Sequence, residues 1–159
     1  MIVQQDIPLN LLSSFERYFP QRTPLLILQA PGYDAWIAAL PTEDGRFTLA
    51  CPDRGGRAVF TWQSARQRQT LDHRTLPPWA LLPAAVIVKL CADGMDVAGF
   101  SAVLIAENSA GPRFDYGLST AVAAFIHALH GRGYTQTTLV ALIDSVRRTM
   151  GAPSPSAES

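Results

Sequence analysis

The chain has 159 residues, a length that fits one domain with a substantial core. Lys+Arg and Asp+Glu each number 13, so there is no basic excess of the kind that binds nucleic acid or an anionic membrane. Lys89 interrupts the most apolar window, which leaves no segment long enough for a membrane span. MIVQQDIPLN lacks the basic and long apolar regions of a secretory signal.

The first half of the chain predicts one helix and several short strands. Asp6 is placed to cap a helix that runs to about Tyr18, and Pro20 prevents the helix from continuing. The sequence PTEDGR carries the Asp-Gly signal of a hairpin turn between the second and third strands. The four strands are predicted at residues 25–30, 36–40, 47–51 and 57–64.

The second half predicts three helices around one buried strand. An apolar helix at 79–92 ends at Asp93-Gly94, and the continuous apolar run GFSAVLIAE at 99–107 predicts a strand. A largely buried helix begins at Gly117, and a last helix spans 135–150. Residues 1–151 are therefore expected to form one domain, and the polar, proline-containing segment 152–159 a disordered tail.

The cysteines and histidines give no metal-binding or disulfide pattern. Cys51 and Cys91 lie singly in apolar segments, which is typical of buried thiols in a reducing compartment and predicts a cytoplasmic location. His73, His127 and His130 lack HExxH spacing, so no metal site is predicted.

The order of these elements, with "QAPG", "EDGRFTLACPDRG", "GFSAVLIAE" and "GLSTAVAAFIHAL", resembles the amino-terminal half of galactokinase and its GHMP kinase relatives. The resemblance covers about residues 8–150. It implies an α+β domain of two layers, a mixed sheet of about five strands with helices on one face, and a left-handed βαβ crossover. That crossover is expected to enter the strand at 99–107 either from the strand ending near Ser64 or from a neighbouring strand.

The family's opening motif, A-P-G-R followed later by G-E-H-T-D and D-R-G, is only partly kept. Tyr33 replaces the arginine associated with phosphoryl transfer, and residues 38–42 replace the G-E-H-T-D run that contacts the sugar. The resemblance therefore makes Tyr33, Asp53 and Arg54 the candidates for a vestigial substrate cleft. The matching residues are Ala30, Pro31, Gly32, Ile37, Gly45, Leu49, Asp53, Arg54 and Gly55.

The family's second motif, P-x-G-x-G-L-S-S-S-A, cradles the phosphates of ATP. Here Arg113, Phe114, Asp115 and Tyr116 fill the positions where glycine would let backbone N–H groups approach phosphate. Asp115 is predicted to cap the following helix, which would put its carboxylate where phosphate should bind. The vestigial candidates for this loop are Arg113, Asp115, Gly117, Ser119 and Thr120.

Three functions follow from these residues. The favoured one is a pseudoenzyme, a degenerate galactokinase-like binding or assembly module with no catalytic residue and no cofactor. The alternative is an ATP-dependent sugar or small-metabolite kinase that uses ATP and Mg, alone or completed by a separate carboxy-terminal half, with Asp53, Arg54, Arg113 and Ser119 as substitute contacts. The third is an unrelated enzyme that uses Asp115, Tyr33 and His73.

Self-association is also expected. The family's amino-terminal half packs against a second domain, and 48% of the residues here are hydrophobic, so some exposed surface should remain apolar. A symmetric dimer is the default form of such association.

Overall fold

The computed structural model describes residues 7–106 and 111–151, without the side chains of residues 111, 112 and 151. The predicted Asp6 cap and the tail at 152–159 lie outside these residues. The elements are α1 (Leu9–Tyr18), β1 (Leu26–Gln29), β2 (Ala35–Pro41), β3 (Arg46–Cys51), a 3-10 turn (Pro52–Arg54), β4 (Gly56–Thr61), α2 (Trp62–Arg66), α3 (Pro78–Ala92), β5 (Phe100–Ala106), α4 (Gly111–Leu129) and α5 (Gln136–Gly151).

The five strands form one mixed sheet in the order β1-β2-β5-β3-β4. β5 pairs parallel with β3 and antiparallel with β2, and the two outer pairs are antiparallel. Every residue of β5 is buried, as its continuous apolar run predicts, because a strand covered on both faces needs no polar alternation. The expected α+β class with a mixed five-stranded sheet is confirmed.

The predicted hairpin between β2 and β3 is wrong, because β5 lies between these two strands. The turn itself exists, with Gly45 at φ +73°. Its backbone N–H groups bond to the entry of β5: Thr42 N donates to Gly99 O at 3.0 Å and Gly45 N to Ala98 O at 2.7 Å. In the middle of the sheet, β5 pairs its backbone on both edges, and the layers on the two faces bury its apolar side chains.

The chain runs from β4 through α2 and α3 into β5, but β4 is not the first strand of the βαβ crossover, because a crossover joins parallel strands. β4 is antiparallel to β3 at the edge of the sheet, and the parallel partner of β5 is its neighbour β3. β4 also ends at Thr61, before the predicted Ser64, because the two residues form a capping box that starts α2: Ser64 N donates to Thr61 Oγ1 at 3.1 Å, and Thr61 N to Ser64 Oγ at 2.9 Å. That the connection from β3 to β5 is left-handed stays a prediction.

Helices cover both faces of the sheet, which corrects the expectation of one covered face. α3, α4 and α5 belong to the larger core together with one face of the strands. α1 packs its Leu11 and Phe15 on the opposite face, against Trp36, Val103 and Ile105. Since successive residues of β2 and β5 are apolar on both sides, the second face needs a cover of its own. No helix within the described residues is long and apolar enough to cross a membrane.

Phe100 in β5 is expected to be a main contributor to stability. Its ring lies 5.2 Å from that of Phe47 and 5.0 Å from that of Phe125, centroid to centroid, and its side chain is fully buried. Phe100→Ala should lower the free energy of unfolding by about 3–5 kcal/mol in a urea titration. The control Arg132→Ala, at an exposed side chain outside the sheet, should change it by less than about 0.5 kcal/mol. Equal effects of the two substitutions would contradict this assignment.

Candidate functional site

The structure brings the predicted cleft and loop residues together at the end of β5. Tyr33 lies in the turn between β1 and β2, Asp53 and Arg54 lie in the 3-10 turn after β3, and Arg113 lies at the start of α4. One bond anchors this arrangement: Ala106 N, at the last residue of β5, donates to Asp53 Oδ2 at 3.2 Å. Asp53 therefore holds the 3-10 turn against the end of the central strand.

The predicted phosphate loop is helical over its described part. α4 begins at Gly111, about two turns before the predicted start at Gly117, so the prediction that Asp115 caps the helix is wrong. Pro112 is tolerated in a first helical turn, and residues 113–116 contain no glycine to break the helix. Burial raises the pKa of the Asp115 carboxyl, while the guanidinium groups of Arg54 and Arg147 act to lower it.

Three arginines lie over aromatic rings around the first turns of α4. The Arg54 guanidinium carbon is 4.2 Å from the centroid of the buried Phe114 ring. Arg113 lies 5.0 Å from the centroid of Tyr33, and Arg147 lies 5.5 Å from that of Tyr116. Arg113 Nη2 also donates to Gly32 O at 3.2 Å. These contacts turn the cations towards the protein's own side chains and backbone.

A Tyr–Asp pair joins α4 to α5. The Tyr116 hydroxyl donates a hydrogen bond to Asp144 Oδ1. The pKa of Tyr116 is raised, first by burial and then by its hydrogen bond to the Asp144 carboxylate. The sequence analysis missed Asp144 and Arg147, because on an amphipathic helix both are ordinary polar positions, and only the packing of α5 brings them to Tyr116.

Gly117 serves helix–strand packing. A Cβ atom added there would lie 3.0 Å from the Ala35 Cβ and 3.6 Å from the Tyr33 Cβ. The crevice beside it has a volume of about 10 Å³ and is bounded by Tyr33, Asp34, Ala35, Ala106, Arg113 and Gly117. That is about the space of one water molecule, so a phosphate group does not fit.

Ser119 and Thr120 are fully buried, and their hydroxyl groups have no hydrogen-bond partner among the described residues. Both therefore lie inside the domain and do not line an open cleft. Within the described ranges, no three His, Cys, Asp or Glu side chains cluster closely enough to hold a metal ion. The structure thus brings Tyr33, Asp53, Arg54, Arg113 and Asp115 together around the start of α4.

Comparison with solved structures identifies the fold. The crystal structure of Lactococcus lactis galactokinase complexed with galactose superposes with a TM-score of 0.66 at 13% identity, over 87% of this chain and 41% of that one. Methanococcus jannaschii mevalonate kinase gives a TM-score of 0.61 at 10% identity, over 83% and 48% of the two chains. A further mevalonate kinase gives 0.52 at 14% identity, over 78% and 40%.

The chain has the fold of the amino-terminal half of the GHMP kinases. It spans less than half the length of each of these three kinases. No protein-family model matches the chain, and no curated protein matches it. The sequence resemblance to galactokinase and its relatives is therefore confirmed at the level of the fold. The helical start of α4 stands where the family's motif places its glycine-rich loop.

Gly117 is expected to tolerate no larger side chain. Gly117→Val should lower the free energy of unfolding by about 1–3 kcal/mol, because the new methyl groups would overlap Ala35 and Tyr33. Gly133→Val is the matched control, since a Cβ atom there meets nothing within 4 Å. Urea titration of both variants measures the difference. A Gly117 variant as stable as the Gly133 variant would show that the close contact between α4 and β2 is not limiting.

Proposed function

We propose that this chain is a degenerate, non-catalytic galactokinase-like domain that acts as a binding or assembly module. The observation that carries the proposal is the helical course of residues 111–117. In an α-helix the N–H groups after the first turn bond to carbonyls four residues earlier, so those of Asp115, Tyr116 and Gly117 are used within α4. They are not free to bind phosphate oxygens as a glycine-rich loop would.

The charges around the start of α4 support the same proposal. Phosphoryl transfer depends on positioned cations that neutralise the transferred group. Arg113 lies over Tyr33 and bonds Gly32, and Arg147 lies over Tyr116. The half-buried Asp115 carboxyl adds an acidic group at the place where a triphosphate would bring further negative charge.

A second candidate is an ATP-dependent sugar or small-metabolite kinase of GHMP type that is completed by a carboxy-terminal half. The observation that favours it is the match to the amino-terminal halves of two kinds of GHMP kinase. In that case ATP and Mg would be the cofactors. Asp53, Arg54, Arg113 and Ser119 would then have to supply the contacts, although Ser119 is fully buried in this domain.

We further propose a cytoplasmic location. Cys51 and Cys91 are free thiols, as expected in a reducing compartment. Burial raises the pKa of Cys51 to about 11 and also raises that of Cys91, so both are protonated and weakly reactive at neutral pH.

Mg-ATP at several millimolar is expected to leave the thermal melting of the protein unchanged. A ligand at about 100 times its dissociation constant would stabilise the fold by about 2.7 kcal/mol. For a domain of this length that is a shift of roughly 5–10 °C. A galactokinase melted in parallel is the positive control. An upward shift in the wild type, lost in Arg113→Gln and kept in Arg17→Gln, would favour the kinase and contradict the proposed function.

The protein is expected to be a dimer at high micromolar concentration. Leu9, Leu12 and Leu25 are large apolar side chains exposed by 93%, 41% and 54%. Leu9 and Leu12 lie three residues apart and share one side of α1. Exposed apolar surface marks interfaces, and a symmetric dimer is the commonest closed assembly. Light scattering should give twice the mass of one chain, and Leu12→Glu should shift that mass towards the monomer. A wild-type monomer with no partner protein present would contradict this expectation.

A further inference from the structure

A groove runs between α2, α3 and the end of α5. Its volume is about 380 Å³, which is within the range of small-molecule sites. Leu81, Ala85 and Val88 of α3 form one wall, and Val146 and Met150 of α5 form the other. None of the residues that line it belongs to the cleft and loop residues described above.

The α3 wall is an apolar stripe that the described residues cover only in part. α3 carries apolar side chains around almost its whole circumference, which is typical of a helix buried on every side. Its residues Ala80, Ala84 and Ile87 are indeed in the core. Leu81, Ala85 and Val88 share another face at helical spacing and stay only half-buried. A concave surface walled by half-buried apolar side chains, with a few polar groups at its rim, is typical of small-molecule sites.

The rim of the groove is positively charged. Arg66, Arg68 and Lys89 line it, and none of the described lining residues is acidic. Lys89 Nζ lies 3.3 Å from Asp93 Oδ1, outside the groove, so that charge is partly neutralised. The Arg66 guanidinium carbon lies 4.8 Å from the centroid of the Trp62 ring, and Arg68 donates to a backbone carbonyl. A ring and a carbonyl carry no net charge, so both guanidinium groups keep their positive charge beside the apolar cavity. Guanidinium groups bind carboxylates with paired hydrogen bonds.

Arg68 lies at this rim in a backbone conformation that is unfavourable for arginine. Its φ of +58° is a left-handed conformation that glycine adopts without strain and other residues adopt rarely. A contact of its side chain offsets this strain. Arg68 Nη2 donates to Met150 O at 3.2 Å, and this hydrogen bond joins the end of α5 to the segment after α2. The same contact closes one end of the groove, because Met150 also lines it.

We propose that this groove binds an amphipathic carboxylate, a molecule with an apolar tail of medium length and one carboxylate head, such as a fatty acid. The tail lies on Leu81, Ala85 and Val88, and the head lies at Arg66 and Arg68. The binding site goes beyond the proposed function and does not depend on it, since it shares no residue with the start of α4. A positive Mg-ATP melt would leave this site unaffected.

Isothermal titration calorimetry with decanoate, below its micelle-forming concentration, tests the apolar part of the site. The wild type should bind one decanoate per chain saturably. Ala85→Trp fills the cavity and should abolish that binding. Ala141→Trp, at an exposed position on α5 outside the groove, is the matched control and should bind as the wild type does. No saturable wild-type binding, or equal binding by both variants, would overturn the proposal.

Decanol and an Arg66→Gln variant test the charged part of the site. Loss of one charge-assisted hydrogen bond should weaken binding about tenfold, so Arg66→Gln should bind decanoate about tenfold more weakly. Arg17→Gln, on α1 at the opposite face of the sheet, should bind normally. Arg66 is exposed, so its variant decides the test if Ala85→Trp does not fold. Decanol bound as tightly as decanoate would overturn the proposal.

Light scattering of the same samples separates a small ligand from a second copy of the chain. The proposal expects Ala85→Trp to keep the oligomeric state of the wild type. An Ala85→Trp protein that becomes monomeric, together with no saturable binding of decanoate by the wild type, would assign the groove to a subunit interface and overturn the proposal.

Discussion

β5 lies between β2 and β3 with all seven of its residues buried, and the rest of the domain is arranged around that burial. One face of β5 is covered by the layer of α3 and α4, and the other by α1. The two strands beside it are consecutive in the chain, so the turn between them has to span β5. The bonds of Thr42 and Gly45 to the start of β5 hold that turn in place.

The start of α4 follows from the same packing. α4 lies close against β2, where Gly117 allows the helix to approach Ala35. A glycine that the family's motif uses near phosphate therefore has a packing role here. The helical turns before it carry Phe114 and Tyr116, and an arginine lies over each ring. Each such contact contributes about 0.5–1 kcal/mol at an exposed site, so the two pairs stabilise the helical start of α4 modestly.

The start of α4 and the groove between α2, α3 and α5 differ in the space that they leave. At the start of α4, arginines lie over aromatic rings, and the crevice beside Gly117 holds about one water molecule. At the groove between α2, α3 and α5, the cavity is open and its walls are apolar.

Local patterns in the sequence determined most of the elements. The apolar run of β5, the Asp93-Gly94 end of α3, the Gly45 turn and the thiol character of Cys51 could all be predicted, because each depends on side chains close together in the chain. The resemblance to GHMP kinases was readable for the same reason, since its motifs are short and keep their order.

Only the tertiary structure decided which strands pair, where α4 begins, and which residues meet at its start. The place of β5 between β2 and β3 depends on how much surface the whole sheet buries, and no turn signal records that quantity. Asp115 has the residue type of a helix cap, but the fold extends α4 past it to Gly111. Tyr116 meets Asp144 and Arg147, 28 and 31 residues later, only because α5 packs on α4. Contacts between elements distant in the chain depend on packing, which local residue patterns do not encode.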